Sequence, residues 1–155
     1  MNATQKADSF EIVSKIAAVV NLVRCQFPNA LADLNPWIES TETARYETQD
    51  SIDLSFHVIR HSWMCQCRSI LMQIQLSPNA LAQASEMVDI VSIVSTEIQL
   101  SGHDCNGQQW YFSTQRGQEF TGMILPLPEA QDRLRHIAYQ GLKLFHCAQA
   151  KQEMR

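Results

Sequence analysis

Apolar residues recur at helical spacing between Ser9 and Phe27: Phe10, Ile12, Val13, Ile16, Ala17, Val20 and Val23, with Glu11, Lys15 and Arg24 off the stripe. This predicts an amphipathic helix that Pro28 ends. Val19 and Leu22 widen the stripe, so one face is expected to lie on a sheet and another to meet a further element or a second subunit. Ser51 to Ile59 alternates instead. Ile52, Leu54, Phe56 and Val58 point one way and Ser51, Asp53, Ser55 and His57 the other, the period of a half-buried strand. Trp63, Cys65 and Cys67 are apolar at odd positions, then Ile70, Met72, Ile74 and Leu76 at even ones, which predicts a β-bulge near Arg68-Ser69.

Glu97 to Leu125 reads as a three-stranded antiparallel meander. Its connectors, Cys105-Asn106-Gly107 and Gln115-Arg116-Gly117, end in Gly, which suits three-residue hairpin loops whose last position is left-handed. That loop length pairs Gly102 with Trp110, Leu100 with Phe112, Phe112 with Phe120, and Trp110 with Gly122, gathering the apolar residues on one face. Two-residue loops would scatter them. Asn35-Pro36 is read as the start of a short helix holding Trp37 and Ile38, and the polar stretch from Glu39 to Gln49 as a loop. Ser77-Pro78 is an N-cap and N1 pair for a helix running to about Ser95, although β-branched residues at 88–94 also suit a strand. Pro126-Leu127-Pro128 breaks the sheet. Glu129 to Lys151 then forms a helix striped by Ala130, Leu134, Ile137, Ala138, Leu142 and Phe145.

The expected fold is a single α+β domain over residues 1–155, with an antiparallel sheet of about five strands and N-terminal, middle and C-terminal helices. The order α-ββ-α-βββ-α resembles the profilin-like modules of the roadblock and longin kind, which dimerise or form adaptor platforms. A secretion-chaperone-like order, with an added strand at Thr43–Thr48, is the alternative.

Composition narrows the function classes. The 155 residues are 45% hydrophobic and 18% charged, enough for a core and too apolar for general disorder. A net charge of −4, with no like-charge run longer than two, gives no nucleic-acid footprint or polybasic membrane anchor. The first residues lack the apolar core of a signal peptide, and the longest apolar run, Ile16 to Val20, is too short to span a bilayer. Five cysteines without framework spacing suit a reducing compartment, so a cytoplasmic protein is expected.

All five glycines lie between Gly102 and Gly141, and no phosphate-cradling or nucleophile-elbow motif occurs. His57, His61, Cys65 and Cys67 carry zinc-type donors. Strand alternation puts His57 on the polar face and the two thiols inward, which favours packed cysteines and no metal. His103, Asp104 and Cys105 read as turn chemistry. Asp132 with His136, and Glu129 with Arg133, are four apart on the last helix and read as surface pairs, while His146 and Cys147 diverge around it. Gly141 on the last helix's stripe permits close approach, either to the chain's own sheet or to a second copy. With no catalytic constellation and no cofactor motif, the expectation is a non-enzymatic protein-binding module, an adaptor, regulator or chaperone-like homodimer. Its interface candidates are Val19, Leu22, Trp37 and Gly141. The alternative is a small-ligand or metal-binding protein, enzymatic or not, using the His57, His61, Cys65 and Cys67 region.

Overall fold

The computed structural model describes residues 1–37, 51–62, 64–77 and 95–153, with backbone alone for 59–62 and 146–153. In chain order the described elements are α1 (Ala3–Lys6), α2 (Phe10–Gln26), β1 (Ala30–Asp33), β2 (Ser51–Ser62), β3 (Cys67–Leu76), β4 (Ser95–Asp104), β5 (Gly107–Ser113), β6 (Thr121–Gly122) and α3 (Pro128–Glu153). The strands form one antiparallel sheet in the order β1-β2-β3-β4-β5-β6, an α+β arrangement.

The α2 helix starts and stops where its sequence directs. Ser9 is the N-cap and its hydroxyl accepts from the Ile12 N–H, while Phe27 closes the last turn onto Val23 ahead of Pro28. The apolar sheet face, formed by Ile52, Leu54, Phe56, Ile70, Met72, Ile74, Ile98, Leu100, Trp110 and Phe112, is buried in one core with both long helices. On α3, Ala130, Leu134, Ile137, Ala138 and Phe145 belong to that core, and Leu142 packs against it. The Arg133 guanidinium reaches the Gln26 carbonyl at 3.0 Å and ties α3 to the end of α2.

The β4–β5 register follows the expectation, with Leu100 opposite Phe112 and Gly102 opposite Trp110. A Cβ on Gly102 would lie 2.1 Å from Trp110 Nε1, so the indole occupies the space that the glycine leaves. The indole N–H donates to the Cys65 carbonyl at 2.6 Å. Trp110 also pairs with Gly122, and the Phe112 and Phe120 rings stack at 4.7 Å. Gly107 and Gly117 both have positive φ.

Several expectations need correction. Near its turn the β4–β5 hairpin slips: His103 pairs with Gln108 and Asp104 with Gly107, leaving Gln109 as the extra residue and a two-residue tip. The β5–β6 connection is longer than three residues, because β5 ends at Ser113 and β6 begins at Thr121. The phase slip falls opposite Arg68, but its extra residues lie on β2. His57 pairs with Ser69 and Ser62 with Cys67, so four residues of β2 face one of β3. A turn through Gln66, at φ 55, then sets Cys67 inward. Among the described residues the sheet has six strands where about five were expected. The added one, β1, was missed because Ala-Leu-Ala-Asp is too short to show alternation. Residues 35–37 are not helical: Trp37 is held by the Asn2 side chain, which accepts from its N–H at 2.9 Å and donates to its carbonyl at 3.0 Å. Ser95 opens β4, so no helix reaches it. The rest of the helix expected after Ser77, the loop over Glu39 to Gln49, the added strand at Thr43–Thr48 and Trp63 lie outside the described residues.

Candidate docking face on the long N-terminal helix

The α2 helix is apolar on two sides. Ile12, Ile16, Val19 and Val23 form the buried side, none more than 6% exposed. About 100° around the helix, Phe10, Val13, Ala17 and Val20 form a second row at i, i+3, i+7 and i+10. Phe10 is 88% exposed and Val13 45%. Beside this row runs an open groove of about 320 Å3, walled by Val13, Ile16, Ala17 and Val20 on α2 and by Ala3, Ala7 and Leu34 opposite. The opposite wall is fixed by backbone pairing: the Thr4 N–H donates to the Leu34 carbonyl at 3.3 Å. Arg24 is exposed on the outer side of α2, one heptad beyond Ala17, as Phe10 is one heptad before it.

The expected interface residues stand elsewhere. Val19 is fully buried in the chain's own core, and Leu22 packs against it half-covered. Gly141 faces the sheet, where a Cβ would come within 2.9 Å of Ile98 Cδ1, so the close approach it permits is to β4 of its own chain. Trp37 is pinned by Asn2, and its indole N–H donates to Asp53 at 2.5 Å. Periodicity identified the width of the apolar arc but not which part the sheet would cover. Phe10 and Val13, both on the predicted stripe, are exposed.

Among the described residues the thiol and imidazole donors are not brought together. His57 is exposed and lies 3.4 Å from Asp33 across the β1–β2 pair. Cys65 and Cys67 are reduced and buried in the core, and no cluster of three metal-type donors occurs among the described residues. Their mutual hydrogen bond, together with burial, pushes the Cys67 thiol far above its ordinary pKa. The His61 side chain lies outside the description, as do those of His146 and Cys147. Cys105 is exposed, its N–H capped by Asp104 at 2.6 Å, which is turn chemistry. On α3, Glu129 pairs with Arg133, whereas Asp132 pairs with Arg135 and not with His136.

Sequence reasoning also missed a buried carboxylate. Asp53 is fully buried, 2.9 Å from the Met1 ammonium, and accepts from Ser51 at 2.7 Å as well as from Trp37. Alternation placed Asp53 on the polar face, but its partners lie too far away in sequence for their meeting to be read.

A family described as a domain of unknown function matches residues 4–147. The chain belongs to this family. No curated protein and no solved structure matches it. The family match takes in all of α2, every strand and most of α3. Among the described residues no helix is long and apolar enough to cross a membrane.

Proposed function

We propose that the protein is a non-enzymatic protein-binding module that acts as a homodimer, pairing through the outer face of α2. One observation carries this reading. The outer row of α2 is apolar, exposed at Phe10, Val13 and Ala17, and self-complementary about Ala17. Two copies of α2 laid antiparallel across a two-fold axis at Ala17 put a small residue at the crossing, where backbones approach closely. The same symmetry sets Phe10 of each copy against Arg24 of the other, a ring and a guanidinium seven residues either side of the axis. The groove, walled by Val20 and Leu34, lies along the same face and would be covered by the partner helix. A second copy therefore satisfies the ring, the groove and the cation together. The dimer would present two sheets on one scaffold, which suits an adaptor, regulator or chaperone-like role in a reducing cytoplasm.

Sedimentation equilibrium tests the pairing. The native chain is expected at twice its 17.6 kDa mass at micromolar concentration. Ala17→Glu, which puts a carboxylate at the crossing, is expected at the single-chain mass with unchanged circular dichroism. A native protein that sediments as a monomer contradicts the reading, and so does an Ala17→Glu variant that remains dimeric.

A further inference from the structure

On the opposite side of the sheet from the core, odd-numbered side chains of β3, β4 and β5 floor a second cavity, of about 450 Å3. Leu71 and Gln73 come from β3, Ser101 and His103 from β4, and Tyr111 from β5, with Gln108 at the rim and Trp37 as a wall. The volume lies within the range of about 300–1,000 Å3 typical of small-molecule sites. We propose that this cavity binds an uncharged, planar, hydrogen-bonding ring compound of nucleoside size.

Three features of the lining point to that class. Among the described residues no Asp, Glu, Lys or Arg lines the cavity, so a charged ligand would lose its hydration there without a counter-charge in direct contact. The lining offers both donors and acceptors. Ser101 and His103 are joined at 2.8 Å, and burial lowers the His103 pKa, which keeps its ring neutral. The half-buried Gln73 amide has no hydrogen-bond partner among the described residues, and it can donate and accept at once. The third feature is a pair of aromatic side chains. Tyr111 lines the floor with one ring face covered by Arg116, 5.8 Å from the ring centre, outside the cavity lining. The Trp37 indole is held by Asp53 and its backbone by Asn2, so this wall is in place before a ligand arrives. Neutral polar edges with apolar ring faces are what a heterocycle or aromatic amide presents.

Calorimetric titration with three matched pairs of probes tests the assignment: adenosine against AMP, uridine against UMP, and nicotinamide against nicotinic acid. At least one neutral probe is expected to bind saturably and more tightly than its anionic counterpart. Gln73→Ala is expected to weaken that probe about tenfold, the loss of one buried hydrogen bond, at an unchanged urea midpoint. Tyr111→Ala, read in the same way, checks the ring contact. Failure of all three neutral probes overturns the proposal. So does equal or tighter binding of the anions, or an unchanged affinity in Gln73→Ala. None of these outcomes bears on the α2 pairing, which involves other residues.

Discussion

Ile12, Ile16, Val19 and Val23 line one side of α2 and are no more than 6% exposed, whereas Phe10 and Val13 on the neighbouring side are 88% and 45% exposed. The two rows have similar chemistry and similar spacing, and differ in what lies opposite. The inner row meets the sheet and α3. The outer row meets a groove whose far wall is Ala3, Ala7 and Leu34. Apolar surface facing water carries a cost of about 25 cal/mol per Å2 relative to burial. The exposed Phe10 ring beside this open apolar groove is the surface on which the proposed second copy would dock. The inner row explains the fold, and the outer row explains the proposed assembly.

Truncating each row separates the two roles most sharply. Ile16→Ala is expected to destabilise the chain by about 2–5 kcal/mol, because it leaves a cavity where α2 meets the core. Phe10→Ser is expected to leave monomer stability within about 0.5 kcal/mol, as for other exposed positions, while weakening self-association. Urea denaturation at low protein concentration checks both. Equal losses at the two positions would erase the distinction between the faces.

A second test probes the core under the inner row. Gly102→Ala sets a methyl against the Trp110 indole and is expected to cost about 1–3 kcal/mol through overpacking. The readout is the denaturation midpoint. An unchanged midpoint would mean that the indole is not seated over Gly102.

The smallest effect is a pH dependence on the polar side of the sheet. Burial holds the His103 pKa below its value in the unfolded chain, which is about 6.5. The unfolded chain then binds more protons than the folded one as pH falls through that value. This contribution to stability is whole above about pH 6.5 and declines on acidification. His103→Gln is expected to flatten the midpoint between pH 7 and pH 5 relative to the native chain. An identical slope in both proteins would contradict the assignment.

How much of this was legible in sequence depended on whether the deciding partner was near in the chain. The Gly102–Trp110 register could be read because glycine, indole and loop lie within a dozen residues and only one pairing gathers the aromatic residues. The span of α3 was legible from Pro128 and its stripe. The bulge was read at the right level of the sheet but on the wrong strand, since a phase slip in β3 does not say which partner carries the extra residues. The outer face of α2 was not separable from the inner one, because periodicity measures the angle between apolar residues and not what covers them. Asp53 and Trp37 looked unrelated, and only the folded chain sets the indole on the carboxylate. The polar cavity was invisible for the same reason: its lining comes from three strands and the segment before β2.

Cysteine cross-linking at the symmetry axis tests the pairing of α2 most directly. In a Cys25→Ser, Cys105→Ser, Cys147→Ser background, which leaves only the buried Cys65 and Cys67, Ala17→Cys is expected to form a covalent dimer readily under mild oxidation. Two Cα atoms must approach within about 7 Å for that bond, and antiparallel helices crossing at this residue meet the condition. Glu11→Cys, well off the outer row, serves as the control and is expected to remain a single chain. Equal cross-linking at both positions, or none at position 17, would contradict the account.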